Sequence, residues 1–541
     1  MAARAVRPPR RAVARGLRRA RPAHRAALGE RGAAARARAR ARTAAARAAG
    51  RVGRRGLSAA PADARREEIA IRASADASSR APVLVFFATA VAWLLFGSLA
   101  GELASLALHW PDLLGFASFL TFGRIRTAHL NAMIYGWASL AMCGVSLWMI
   151  PRLVHQQLSW PRLAMAGAAL WNVGLVIGIG GILAGRNDGL EWLEMDRALA
   201  DPWLVAGGAC VGIPLLATLA RRTVDHLYVS VWYVIGAFLW FPVLFLVGNW
   251  PFGGVESAAV NWFYAHNALG LWLTAVNVGA AYYFIPKVLG RPVYSYQLSL
   301  LGFWTLAFFY ALNGMHHLIG GPLPTWMITT SIVASVLMII PVVAVAVNHH
   351  MTVVGRFAAL RYSPTLRFVV IGAMAYTAVS LQGMFTALRE VNRITHFTQW
   401  TIAHSHVGVY GFVTFVLFGS MYYVLPRLAG REWPSARLIQ WHFWLSLGGI
   451  GLYVVALTVV GVLQGLVLLE PSAPFQRSVE VTIPGLYARS LAGLVLGAGH
   501  LLFALHCAAL LRAPARRAMP ALLEARPVVV RDAGAVQEPA S

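Results

Sequence analysis

Twelve separate runs of about 20 mostly apolar residues lie between residues 82 and 512, and each is long enough to cross a bilayer core of about 30 Å as an α-helix. They fall at approximately 82–107, 126–150, 162–184, 203–220, 229–249, 258–286, 296–320, 325–348, 366–388, 401–426, 439–468 and 486–512. In hydrocarbon a helix satisfies its own backbone N–H and C=O groups, which an isolated strand cannot do. The expected fold class is an all-α membrane protein, a bundle of about twelve transmembrane helices. Only 13% of the residues are charged and 58% are hydrophobic, against about 25% charged in soluble domains. The runs follow almost without a break, so one membrane domain over 82–512 is expected, with no fixed-period internal repeat.

Lys and Arg collect in alternate short loops, at Arg152 and Arg162, Arg221 and Arg222, Lys287 and Arg291, Arg356 and Arg361, Arg427 and Arg431, and Arg512. That face is expected to be cytoplasmic. An even number of crossings then puts both termini there. The net charge of +26 would suggest a nucleic-acid partner if it were spread over a folded surface. Instead residues 1–66 hold 20 Arg against Glu30 and Asp63, so no nucleic-acid role is expected. Residues 1–72 read as an Arg/Ala-rich disordered extension, since such a composition buries too little apolar surface to fold. A transit peptide and a basic arm on the membrane surface compete as readings. A start assigned too far upstream is preferred, because no Met separates Met1 from Met133. Residues 513–541 are expected to be a disordered cytoplasmic tail. The three cysteines, Cys143, Cys210 and Cys507, each sit in an apolar run, which indicates neither a disulfide framework nor a thiolate metal site. No Cys-x-x-Cys-His occurs, so covalent c-type haem is not expected in this chain.

Polar side chains inside a membrane are costly and usually functional. His129 opens the second run, His266 lies early in the sixth, His316 and His317 end the seventh, and His404 and His406 open the tenth. Alternate runs cross in opposite directions, so all six fall at one depth, in the outer third of the bilayer. A single buried histidine is ordinarily a satisfied core residue; six at one level imply shared chemistry. His404 and His406 point about 200° apart on a helix and can serve two separate ligands. His316 and His317 diverge by about 100° and can share a metal with His266. Three imidazoles with an open position suit copper, zinc or iron. His349 and His350 lie at the other face and read as interfacial, while His442, His500 and His506 read as packing residues.

In these residues the chain resembles the catalytic subunit of the haem–copper oxidases, and more closely the cbb3-type (C-family) cytochrome c oxidases. The resemblance covers most of residues 115–430 and rests on Ala128-His129-Leu130-Asn131, Tyr264-Ala265-His266-Asn267, Gly290 to Ser299, the His316-His317 pair, and Trp400 to His406. It implies two b-type haems and one copper ion. His129 and His406 would be axial ligands of a low-spin haem, His404 the axial ligand of a high-spin haem, and His266, His316 and His317 the copper ligands. Most of the superfamily carries a tyrosine four residues after the first copper histidine, where this chain has Gly270. The cbb3-type branch takes its catalytic tyrosine from the seventh helix, where Tyr310 stands, about two turns from His317.

The implied activity is reduction of O2 to water with electrons from membrane-anchored c-type cytochrome subunits, coupled to proton uptake and pumping, in a bacterial inner membrane. Thr274, Tyr296, Ser299 and Tyr376 match positions of a proton path. Two departures stand out: Gln382 where the family usually has glutamate, and Gly302 where it has histidine. Calcium is a further implied ion at the acidic loop. Glu191 and Glu194 match that site poorly in spacing, and a solvated loop is preferred. Two other functions remain open, a nitric oxide reductase with non-haem iron in place of copper, and a cofactor-free proton-coupled transporter. The transporter gives no reason to put a histidine on each face of one helix at the depth of four others.

Overall fold

The computed structural model describes residues 62–512. Most of the expected N-terminal extension and all of the expected tail lie outside them. Among the described residues there are no strands, and twelve helices are long and apolar enough to cross a membrane. In chain order they are α1 (Ala62–Ala107), α2 (Phe122–Leu153), α3 (Pro161–Ala184), α4 (Asp201–Ala220), α5 (Val229–Gly248), α6 (Gly254–Leu289), α7 (Tyr296–Tyr310), α8 (Thr325–Val353), α9 (Pro364–Thr386), α10 (Gln399–Ala429), α11 (Ala436–Leu468) and α12 (Ile483–Arg512). The disordered extension was expected to reach residue 72, but α1 starts at Ala62. Ala-rich sequence with Arg and Glu propagates a helix readily once an apolar segment follows.

The helices form two classes. In α2, α6 and α10 the apolar windows are 94%, 89% and 78% buried, against 33–56% in the other nine. These three are the inner elements, and they carry His129, His266, His404 and His406. Each contains a π-helical stretch starting one to three residues after a histidine, at Ala132–Ala138, Ala268–Thr274 and Val407–Thr414. Each carries a proline in its last turn, Pro151, Pro286 or Pro426, whose carbonyl accepts the N–H five residues on, from Gln156, Arg291 and Arg431 respectively. The residue before that N–H is left-handed in all three: His155 (φ 55°), Gly290 (φ 63°) and Gly430 (φ 68°). After α6 and α10 the next helix is capped by a serine, Ser295 or Ser435, whose hydroxyl accepts from Leu298 or Leu438 N–H.

No fixed period appears, but these helices are three copies of one element. Unequal intervals and different side chains hide it from a fixed-period search. Aligned on their prolines, His129, Tyr264 and His404 share one position. Asn131, His266 and His406 share the next, Tyr135, Gly270 and Tyr410 a third, and Ser139, Thr274 and Thr414 a fourth. The residue after the proline is basic in every copy. Arg152 is buried there and donates to both oxygens of Asp76 on α1 at 2.6 Å, with its guanidinium over Trp148.

Candidate metal and cofactor site

Three imidazoles converge where α6 meets the end of α7. The ligand atoms of His266, His316 and His317 all lie within 4.8 Å of one another, the one such cluster of His, Cys, Asp and Glu among the described residues. His316 and His317 do not ride on α7 as expected. α7 stops at Tyr310, and the pair sits on a separate 3-10 turn, Met315–Leu318. Gly314, with φ 119°, makes the break, and a Cβ there would meet the Trp262 carbonyl at 2.7 Å. Neighbours orient each ring. His316 Nδ1 is hydrogen-bonded to Ser331 and Ser335 at 3.1 and 3.0 Å, leaving Nε2 for a metal. His317 stacks on Trp262, with ring centres 4.2 Å apart. His266 Nδ1 is buried without a hydrogen-bond partner. A buried, unpartnered imidazole nitrogen beside two others is a donor set that fits a soft or borderline divalent ion.

Tyr310 lies against this cluster, its ring centre 4.7 Å from that of His266. The contact is possible because residue 270 is glycine. A Cβ at Gly270 would fall within 2.0–2.2 Å of three Tyr310 ring carbons. The helical alignment of Tyr310 with His317 drawn from spacing does not hold, since α7 ends between them. The pairing that counts is with His266.

A second site opens on the other side of α10. His129 and His406 line a cavity together with Tyr410, Tyr453, Arg489 and His500. His129 Nδ1–H donates to the Gly97 carbonyl at 2.7 Å, and His406 Nδ1–H donates to Ile402 at 2.8 Å. A carbonyl can only accept, so both rings carry the Nδ1 proton and keep Nε2 free as a ligand. The residues therefore fit a planar group gripped from both faces. His404 Nδ1, on the opposite side of α10, is bonded to Gln382 Oε1 at 3.0 Å. It too keeps Nε2 free, and it lies within electrostatic reach of His266, His316 and His317.

Of the four hydroxyls matched to a proton path, Tyr296 donates to the Leu227 carbonyl at 2.8 Å and Ser299 to the Tyr296 carbonyl at 2.6 Å. Tyr376 is buried with its hydroxyl unpartnered, and Thr274 is half-buried. The structure adds Tyr233 and Tyr282, which stack at 5.8 Å, and Tyr228, which donates to the Tyr282 carbonyl at 2.9 Å. A Cβ at Gly302 would meet the Tyr233 hydroxyl at 3.4 Å. His349, read as interfacial, is in fact buried against Tyr282, with both ring nitrogens unpartnered.

At the acidic loop the two carboxylates are separately engaged. Glu191 pairs with Arg126 at 3.1 Å, and Glu194 accepts from Asn131 at 2.9 Å. Burial pushes the Glu194 carboxyl up to about 7, the Asn131 bond opposing it. Neither belongs to a three-ligand cluster among the described residues. Sequence reasoning missed Glu102, Arg489 and His500 at the larger cavity, and the Gln382 bond to His404. Aligning the three prolines would have singled out Tyr410 and, through it, the cavity floor.

A bundle of twelve apolar helices with a buried three-histidine cluster and a two-histidine cavity belongs to the class of multi-pass membrane proteins that hold cofactors with imidazoles. The family model described as Cytochrome C and Quinol oxidase polypeptide I matches residues 81–495, and the chain is a member of that family, the haem–copper oxidase subunit I proteins. It is 33% identical over 444 residues to "Cytochrome c oxidase subunit 1 homolog" of Azorhizobium caulinodans, covering 78% of this chain and 80% of the relative. It is 32% identical over 450 residues to "Cbb3-type cytochrome c oxidase subunit CcoN1" of Stutzerimonas stutzeri, covering 80% and 95%. A heme-copper terminal oxidase dimer solved by cryo-EM shares the fold, with TM-score 0.66 and 16% identity over 82% of this chain and 86% of that one. The protein is a haem–copper oxidoreductase, a cytochrome c oxidase catalytic subunit.

Proposed function

We propose that the chain is the catalytic subunit of a cbb3-type terminal oxidase in a bacterial inner membrane, reducing O2 to water. Its electrons come from membrane-anchored c-type cytochrome subunits, and the reaction is coupled to proton uptake and pumping. His129 and His406 hold a low-spin b-type haem, His404 a high-spin one, and His266, His316 and His317 a copper ion. A haem held by His404 and a copper ion held by His266, His316 and His317 would, when bound, supply electrons for the reduction of one oxygen molecule. The chain's own residues do the rest. Gly97, Ile402 and Gln382 fix the tautomers of His129, His406 and His404, so that each presents a neutral Nε2. Ser331 and Ser335 do the same for His316. Tyr310, packed on His266, supplies a phenolic hydrogen at the reaction site, and Tyr296, Ser299, Tyr376 and Thr274 bring protons towards it, with Tyr233 and Tyr282 between. A calcium ion at Glu191 and Glu194 has less support, because each carboxylate already has a partner.

The observation that carries this reading is the tyrosine ring seated on His266 in the space left by Gly270. Three imidazoles alone would accept non-haem iron as readily as copper. No carboxylate joins the cluster among the described residues, which favours copper and oxygen over iron and nitric oxide. Oxygen uptake by the purified complex tests it: Tyr310→Phe should keep haem and copper and lose at least about 10²-fold in rate. Near-normal uptake by that variant, or faster turnover of nitric oxide than of oxygen by the wild type, would overturn the reading.

A further inference from the structure

A second set of buried polar groups, outside the proton path named above, runs from the two-histidine cavity towards the α10–α11 turn. His500 on α12 lines the cavity floor. Its Nδ1 lies 2.7 Å from Ser98 Oγ, and its Nε2 lies 2.8 Å from the Tyr410 hydroxyl. Ser98 spends its own hydrogen on the Leu94 carbonyl at 2.6 Å. It therefore accepts from His500 Nδ1–H, and Tyr410 donates to Nε2. That fixes a neutral imidazole whose free valence is already satisfied by a phenol. Beside Tyr410 stands Ser446, close enough to interact with the phenol, and its buried oxygen makes no hydrogen bond of good geometry in this state. One turn before it on α11, His442 bonds the Tyr422 hydroxyl through Nδ1 at 2.9 Å, while its Nε2 is buried and unpartnered. Gly499 faces both: a Cβ there would meet Ser446 Oγ at 3.5 Å and His442 Cδ2 at 3.7 Å. Its missing side chain leaves the gap between them open.

We propose that His500 is a proton-accepting site for the haem cavity, served by a relay through Tyr410, Ser446, His442 and Tyr422 that is separate from the tyrosines leading to Tyr310. The proposal rests on the low-spin haem assignment at His129 and His406. One electron delivered there by a c-type cytochrome lowers the cavity charge by one, and one proton taken up on His500 Nε2 restores it. For that proton to bind, Tyr410 must turn its hydrogen away from Nε2, and the Ser446 oxygen is placed to receive it. The orphaned atoms are thus the acceptors of the second state. Unsatisfied buried polar atoms are costly, and this arrangement gives two of them a use. Other titratable or charged groups face the same elements: Glu102 on α1, His129 on α2, Arg367 on α9, His406 on α10, Tyr453 on α11, and Arg489, His506 and Cys507 on α12. Glu102 and Arg489 also line the cavity, so Glu102 is the competing proton site.

The test is a redox titration of the low-spin haem in the purified complex, followed optically from pH 6 to 9. The wild-type midpoint potential should fall as pH rises, because reduction carries a proton with it. In His500→Gln the pH slope should drop at least twofold while the haem spectrum is kept. Gly499→Ala, which fits without a clash and fills the gap, and Ser446→Ala should slow the proton-coupled phase of haem reduction at least fivefold with the equilibrium slope unchanged. A slope that survives in His500→Gln and disappears in Glu102→Gln would overturn the proposal, as would normal reduction kinetics in both relay variants. A wild-type complex with no low-spin haem would sink the haem assignment itself, which is a different failure.

Discussion

Gly270 and Tyr410 occupy the same position in two copies of one helical element, and the difference between them separates two kinds of site. On α10 the tyrosine is kept; it turns to His500 and floors the two-histidine cavity. On α6 it is replaced by glycine, and Tyr310 from the neighbouring helix enters the vacated space against His266. The third copy, on α2, keeps Tyr135, which is bonded to Tyr264 at 2.6 Å. A shared scaffold of π-stretch, hydroxyl and terminal proline thus yields a two-histidine cavity in one place and a three-histidine cluster in another, through side chains at two or three positions. π-Stretches recur at functional sites. Here they follow the histidines in all three copies.

The comparison can be broken at its ends. The α2 copy buries its basic residue against an acid, so Asp76→Asn should strand Arg152 and cost about 3–5 kcal/mol, read as a lower thermal midpoint of the solubilised complex. The corresponding Arg427 lies over Tyr423 instead, 3.4 Å from its ring centre, and Arg427→Gln should have a much smaller effect. At the reaction site, Gly270→Ala should displace Tyr310 and reduce oxygen uptake about 10²-fold with copper retained. Unchanged uptake would show that Tyr310 does not depend on the glycine. Gln382→Glu should place a carboxylate on His404 and make the imidazole more electron-donating. The high-spin haem potential should then fall by on the order of 59 mV, a tenfold shift for one electron, while the low-spin potential stays put.

The smallest expected effect is at the position where α2 carries Asn131 in place of a ligand histidine. Asn131 holds Glu194, whose carboxyl is pushed by burial from 4.5 to about 7. The folded state therefore keeps the proton that the unfolded state releases, and stability falls as pH rises from about 4.5 through 7. The thermal midpoint of Glu194→Gln should vary less between pH 5 and 8 than that of the wild type.

The helix count and the grouping of His266, His316 and His317 were legible in the sequence, because hydrocarbon thickness sets span length and because depth can be read from position within a span. The turn that carries His316 and His317 was not. Gly314 looks like any other glycine in an apolar run until its positive φ is seen. Tyr310 was found by resemblance, but the reason it reaches His266 lies across two helices, in the space above Gly270. The relay at His500 was missed because its partners, Ser98, Tyr410 and Ser446, come from three different helices and share no local pattern. The Gln382 departure was visible, but its consequence was not, since the bond to His404 joins α9 to α10.

The account stands or falls on what the six histidines hold. Haem and metal quantification of the purified complex, corrected for the c-type haem of its partners, should give two b-type haems and one copper for each copy of this chain, with the copper lost in His317→Ala and both haems kept. One b-type haem, or non-haem iron in place of copper in the wild type, would contradict it.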